Sequence, residues 1–437
     1  MKVFAEMEEM MKIFVSAYAC EPNLGSEVGV GWHWVLEMSK TFELWVLTRQ
    51  SNRRAIEQFR SVNPGYEGIH FLYYDLPAWA RKWKKGRRGV HLYYTLWQTF
   101  SNKIVKETMT REGITVFHHL TYGNVLWKVS AFGQKAPHFI WGPVGGLETI
   151  PRQYTRYYSV ASRMFEALRR CIVAMIPCNL GFRRRCKDAS LILCKTDITR
   201  SMVPACYRDK AVLFTDVAVE KSENFPEGTE FRPDKPSVDF LTVGRLEGWR
   251  GFDLVLEAYA KARFEASLRR AAGESIKEMH LTVMGSGPDA SKLRKIAESL
   301  GLGASELTFT GRVPMHMYQR FLAGSDVVVN ASLKEGAVTV SFDTLSLGKP
   351  LICLDTTGFT RYFSPEYSLV IPRQEEGLEV PREQVVNALS DAMLRLMDDG
   401  LRDRMGRAAY RAGENFTWEH HGQEITDIII KNVSLHK

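Results

Sequence analysis

The sequence predicts an α/β protein of two doubly wound domains, and three observations lead there. The chain has 437 residues, too many for one ordinary core when a domain takes about 150. Short runs rich in Val, Ile, Leu and Phe alternate with helical patterns through both halves, as parallel strands covered on both faces do. A charged segment carrying Pro226, Pro233 and Pro236, residues 220–236, separates the halves and reads as a linker. Ligands of a doubly wound sheet bind beyond the carboxyl ends of its strands, so two such sheets facing each other would enclose one central cleft.

In the first domain, residues 1–219, the candidate strands are Lys12–Ala19, Leu44–Thr48, Ile69–Tyr74, Thr115–His118, His138–Trp141, Leu191–Cys194 and Ala211–Phe214. In the second, residues 237–415, they are Val238–Val243, His280–Met284, Leu307–Phe309, Val327–Val329, Leu351–Cys353 and Leu369–Ile371. Gly251–Ala266, Ser291–Ser299 and Val385–Met397 read as helices between them. Residues 416–437 close the chain with a helix that sets Ile425, Ile428 and Ile429 on one side.

Seven scattered cysteines without a C-x-x-C pair argue against a disulfide framework and for a reducing cytoplasm. Cys171, Cys178, Cys186 and Cys194 are spaced too widely for a metal cluster and are expected to pack in the interior. The first ten residues are acidic, unlike a signal peptide, and read as a leader with no part in the fold. The longest apolar stretch, Cys171–Phe182, contains Pro177 and falls short of the roughly 20 residues a membrane span needs. The net charge of +8 is uneven: residues 1–220 hold 31 Lys+Arg against 19 Asp+Glu, whereas residues 221–437 hold 27 against 31. The basic first half should meet something anionic.

Four motifs follow strands. Glu21–Trp32 contains Gly25, Ser26 and Glu27, then Gly29 and Gly31; it reads either as a glycine loop presenting N–H groups to an anion at a helix start or as a tight strand-to-helix turn. Val243–Gly251 places Arg245 and Arg250 on either side of a turn, where two guanidiniums suit a diphosphate, with solvated surface arginines as the plain alternative. Met284–Ala290 satisfies G-x-G-x-x-A through Gly285, Gly287 and Ala290. Its Pro288 and the lack of a following acid speak against a nicotinamide fingerprint. Lys334–Pro350 holds Glu335 in a loop and Asp343 eight residues on, two carboxylates suited to a polyhydroxylated ligand or simply solvated acids.

Together and in this order, these pieces resemble family 4 of the retaining glycosyltransferases over nearly the whole chain. The resemblance implies GT-B architecture, two Rossmann-like domains. The family's "GRL…KG" reads Gly244-Arg-Leu…Arg250-Gly251, its "G-x-G-P" reads Gly285–Pro288, its "F-x-G-x-V" reads Phe309–Val313, and its "EG…E…GKP" reads Glu335-Gly336, Asp343 and Gly348–Pro350. Gly285, Gly311 and Gly336 belong to these donor-side motifs. By resemblance, Arg245 and Arg250 hold the donor diphosphate, Glu335 the sugar hydroxyls and Asp343 the ribose. Arg stands at 250 where the family has Lys, and Asp at 343 where Glu is usual. Ala19–Glu27 resembles the family's glycine loop facing phosphates and acceptor, and a histidine near the transferred sugar corresponds to His118 or His119. Residues 140–148 resemble a loop of one branch of the family, and Asn415–Glu419 its helix crossing back onto the first domain.

The implied reaction is transfer of a hexose from a nucleotide-sugar, UDP- or GDP-linked, with retention of configuration. The chain contains no D-x-D, so arginine rather than metal is expected to neutralise the diphosphate, and no cofactor is expected. On the acceptor side, Arg81, Lys82, Trp83, Lys84, Lys85, Arg87 and Arg88 form a basic, aromatic cluster. A second cluster, Arg183–Lys187, follows the apolar run. They point to an anionic membrane surface and not to nucleic acid, for which no recognition motif accompanies them. The expected setting is the cytoplasmic face of a membrane, with a lipid-linked or glycan precursor as acceptor. A soluble acceptor, a nucleotide-sugar-binding protein without turnover and a nicotinamide oxidoreductase are the competing readings.

Overall fold

All thirteen expected strand segments are strands of two parallel sheets. The computed structural model describes residues 10–434 apart from 67, 82–88, 156–157, 221–234, 335–338, 356–358 and 376–377. In chain order the first elements are β1 (Lys12–Ser16), α1 (Ser26–Ser39), β2 (Glu43–Arg49), α2 (Arg53–Val62), β3 (Ile69–Tyr74), α3 (Ala78–Arg81), α4 (Val90–Phe100), α5 (Asn102–Glu112), β4 (Val116–His119) and β5 (His138–Val144). Then come α6 (Val160–Ala174), α7 (Leu180–Asp188), β6 (Leu191–Cys194), α8 (Asp197–Met202) and β7 (Ala211–Leu213). Beyond residue 234 follow β8 (Ser237–Val243), α9 (Phe252–Ala271), β9 (Glu278–Met284), α10 (Ala290–Ser299), β10 (Leu307–Gly311), α11 (Met315–Gly324), β11 (Val327–Asn330), α12 (Thr339–Ser346), β12 (Leu351–Asp355) and β13 (Ser368–Pro372). A short hairpin, β14 (Gln374–Glu375) and β15 (Leu378–Glu379), precedes α13 (Arg382–Arg395), α14 (Asp399–Gly413) and α15 (Trp418–Ser434).

The chain divides into two compact units. One comprises Met1–Leu147, Met175–Asp216 and Trp418–Lys437, with the sheet β3-β2-β1-β4-β5-β6-β7. The other comprises Glu148–Ala174 and Val217–Thr417, with the sheet β10-β9-β8-β11-β12-β13. The central strands are apolar at successive positions because helices cover both faces. Ile13, Phe14 and Val15 of β1 are all fully buried.

Three differences from the sequence reading have physical causes. The run Lys12–Ala19 leaves the ladder after Ser16, yet Ala17, Tyr18 and Ala19 stay buried. Its apolar character therefore marks a covered strand tip as well as a strand. Residues 148–174, read with the first domain, cluster with the second unit. There Ile150 and Tyr154 join its core, and the Tyr154 hydroxyl donates to Val380 O at 2.9 Å. Of the four cysteines expected inside, Cys186 and Cys194 are buried, but Cys171 and Cys178 are exposed, because the apolar run carrying them breaks into α6 and α7 at the surface. In the first unit α15 packs on α1, with His421 5.4 Å from Trp34. Among the described residues no helix is long and apolar enough to cross a membrane.

Candidate functional site

Strand order reverses between β8 and β11 in the second unit and between β1 and β4 in the first. Each sheet thus opens a crevice where those strands end, the place where doubly wound sheets take ligands. The motifs at 243–251 and 334–350 leave from β8 and β11, the motif at 19–27 leaves from β1, and His118 and His119 end β4.

In the second unit the two loops are joined directly. Gly251 has φ +67, and a Cβ there would lie 2.0 Å from Ala331 O; only glycine fits so close a crossing in the left-handed region. Leu333 N–H donates to Trp249 O at 2.7 Å, so the arginine turn and the start of the β11 loop form one surface. On it Arg245 is exposed and ion-paired to Glu247. The same carboxylate accepts from Trp249 Nε1 at 2.7 Å. The Arg250 guanidinium lies 4.2 Å from the Trp249 ring centroid, a stacked cation. Glu247 lies inside the Val243–Gly251 motif, whose spacing assigns it no role.

Of the two glycines expected on the donor side, Gly285 is required by close backbone packing, whereas Gly311 has φ +71 and open space where its Cβ would stand. A Cβ at Gly285 would stand 1.8 Å from Gly244 O, and Gly285 N–H donates to Gly311 O at 2.9 Å. The nicotinamide alternative for this loop finds no support in that geometry, since its glycines press on the arginine turn rather than opening toward a ligand. Asp343, on α12, accepts from the Tyr318 hydroxyl at 2.5 Å, and burial pushes its carboxyl up to about 6. Glu335 and Gly336 lie outside the described residues. Their neighbour Lys334 is ion-paired to Glu166 of α6, and burial lowers its ammonium below the usual range. Glu166 is 168 positions away in sequence, and no local pattern marked it.

In the first unit Gly25 caps α1 with an extended backbone, and Ser26 and Glu27 open the helix. Gly29 and Gly31 lie inside α1; a Cβ on them would meet Leu24 O at 1.8 Å and Ala19 O at 2.1 Å. The tight-turn reading therefore accounts for this pair. Glu27 Oε1 accepts from Tyr122 N–H at 2.6 Å, and Tyr122 holds φ +59, a conformation that costs a non-glycine residue about 1 kcal/mol or more. Burial raises the Glu27 carboxyl above its ordinary range, with Lys195 opposing. Lys195 follows β6 and is ion-paired to Asp216; neither was anticipated, because only the sheet brings their loops to Glu27. Tyr122 rests 4.6 Å from Tyr18, 4.9 Å from Tyr94 and 4.8 Å from Trp127.

His118 and His119 are both buried. Adjacent strand positions face opposite ways. His118 Nε2 bonds Gly142 O at 2.7 Å beside Trp34, whereas His119 Nε2 lies 3.2 Å from the Tyr94 hydroxyl. Burial lowers them to about 4 and about 3, which keeps both neutral. Of the basic cluster, Arg81 ends α3, and 82–88 lie outside the described residues.

Two Rossmann-like units with these strand orders define a GT-B protein. Residues 226–412 match the family described as glycosyl transferases group 1. An uncharacterized glycosyltransferase of Methanocaldococcus jannaschii is 24% identical over 232 residues, covering 52% of this chain and 54% of that protein. The chain thus spans about half the length of this curated relative. Among solved structures, sucrose-phosphate synthase of Thermosynechococcus elongatus aligns over 97% of this chain and 100% of its own at TM-score 0.64 and 14% identity. HepE of Anabaena, in complex with UDP, aligns over 97% and 100% at TM-score 0.54 and 11% identity. These likenesses are of fold. The match to group 1 glycosyl transferases thus lies in the second unit, and the chain as a whole shares the GT-B fold.

Proposed function

We propose that the chain is a retaining, family 4-like glycosyltransferase that moves a hexose from a UDP- or GDP-sugar to a lipid-linked or glycan precursor. Its setting is the cytoplasmic face of a membrane, in polysaccharide or glycolipid biosynthesis. The observation carrying this reading is the surface at the β8/β11 switch point. There Arg245 and Arg250 flank a turn hydrogen-bonded to the segment leading into Glu335, within the stretch that matches group 1 glycosyl transferases. The complex of HepE with UDP is consistent with a nucleotide-linked donor.

In this mechanism the diphosphate displaces Glu247 from Arg245 and is held by both guanidiniums as its bond to the anomeric carbon breaks. The acceptor hydroxyl attacks the same face. Its oxygen forms the new glycosidic bond and its proton passes to the departing phosphate oxygen. Glu335 orients the sugar hydroxyls and Asp343 the ribose. Neutral, buried His118 and His119 are given no proton to carry; on β4 they pair with Val15 and Ser16 of β1, the strand from which the acceptor loop leaves. Gly25 caps, and Ser26 and Glu27 open, the helix to which that loop leads.

A thermal-shift panel of UDP-, GDP- and ADP-sugars, followed by sugar-release assays with the stabilising donor, tests the reading. One donor should raise the unfolding temperature and be turned over, and Glu335→Ala should keep nucleotide binding but lose sugar release. Binding without turnover of any donor and acceptor would make the chain a non-catalytic binding protein.

A further inference from the structure

The helix α6 is amphipathic the wrong way round for a globular protein. Glu166, Arg169, Arg170 and Val173, spaced i, i+3, i+4 and i+7, face the second unit. Glu166 pairs with Lys334, Arg169 donates to Glu148 O at 3.1 Å, and Arg170 donates to Ile150 O at 2.8 Å. The opposite face carries Val160, Met164, Phe165, Leu168 and Ile172. Met164, Phe165 and Leu168 keep 68%, 63% and 60% of their surface exposed. Burying such side chains is among the larger favourable terms available to a protein, so a whole face of them left in water marks a contact surface.

Charge says what covers it. Arg163 is exposed, and the helix's one carboxylate, Glu166, is buried against Lys334. Apolar side chains beside an exposed cation, with no exposed acid among the described residues of the helix, fit the headgroup and acyl boundary of an anionic bilayer. A second copy of this helix paired face to face would bring Arg163 no exposed carboxylate to meet, since Glu166 is taken up by Lys334. In the first unit, α7 exposes Leu180 at 82% beside exposed Arg183, Arg184 and Lys187.

We infer that α6 lies in the interface of an anionic membrane through Val160, Met164, Phe165, Leu168 and Ile172, while its polar face grips Lys334 beside the proposed donor loop. This deepens the membrane part of the proposed function and rests on it. The full chain should float with vesicles of phosphatidylcholine and phosphatidylglycerol at physiological salt, and less with phosphatidylcholine alone. Replacing Met164, Phe165 and Leu168 by Ser should weaken that binding about tenfold or more, with thermal unfolding unchanged. Should the triple variant not fold, Phe165→Trp gives a second readout, a blue shift of its fluorescence on adding the anionic vesicles. Binding that survives the triple substitution, or an absent blue shift, overturns the α6 assignment and leaves the membrane reading standing. A wild-type chain that floats with neither vesicle overturns both. A dimer seen by sedimentation velocity without vesicles, and abolished by the triple substitution, gives the face to a second copy instead.

Discussion

Lys334, half-buried, and Glu166, buried, form an ion pair between the segment just after β11 and the inward face of α6. It fastens residues 148–174 to the second unit at the foot of the proposed donor loop. Removing one partner of such a pair leaves an uncompensated buried charge. Glu166→Gln should destabilise the second unit by about 3 kcal/mol, and Glu166→Gln with Lys334→Met by less than the sum of the single changes. Chemical denaturation of the four proteins checks it; additive effects would show that the pair contributes nothing as a pair.

Arg245 and Arg250 are expected to carry donor affinity. Arg245→Ala and Arg250→Ala should each weaken UDP or GDP binding about tenfold to a hundredfold, the worth of a charge-assisted hydrogen bond. Glu247 holds Arg245 before the donor arrives, so Glu247→Gln should tighten diphosphate binding a few-fold. Isothermal titration measures all three, and unchanged affinity in both arginine variants would remove the diphosphate from this turn.

Asp343 should make the second unit sensitive to pH in one direction. Its folded carboxyl, raised to about 6 from 3.8 by burial, binds a proton more readily than in the unfolded chain. The native state is therefore penalised above about pH 6, and the penalty fades as pH falls toward the unfolded value. Asp343→Asn keeps an acceptor for Tyr318 and should raise stability near neutral pH by about 1 to 2 kcal/mol, a gain that vanishes near pH 4. Thermal unfolding of both proteins across that range reads the convergence; a constant difference would contradict it.

The first unit should respond the opposite way. His118 and His119 are lowered from 6.5 to about 4 and about 3, and His421 to about 3, each chiefly by burial. Their neutral native forms give full stability above the unfolded value of 6.5. That contribution is lost as pH falls toward the folded values, because the unfolded chain takes up the protons. Each pH unit below 6.5 should cost about 1 kcal/mol per histidine. Denaturant unfolding followed at slightly alkaline and mildly acidic pH should show this loss, and His421→Gln should reduce its slope.

Much of the architecture was legible in the chain because parallel strands covered on both faces are written as short continuous apolar runs. Ile69–Tyr74 and Leu191–Cys194 came out to the residue. Arg245, Arg250 and the glycines around them were legible too, since a turn after a strand is a local event. Helix α6 was not, for it puts its apolar residues outside and its charged ones inside. Glu166, Lys195 and Asp216 gave no local signal at all.

By itself, then, the sequence determined the two doubly wound sheets, the turns that leave them and the glycines those turns require, because these depend on period, backbone freedom and neighbours within a few residues. Only the tertiary structure decided that residues 148–174 join the second unit, that Glu247 already holds Arg245, and that Lys195 and Asp216 form an ion pair near Glu27. Such pairings join segments far apart in the chain or depend on side-chain directions at a turn. Burial and charge then set their chemistry, and neither can be read from spacing alone.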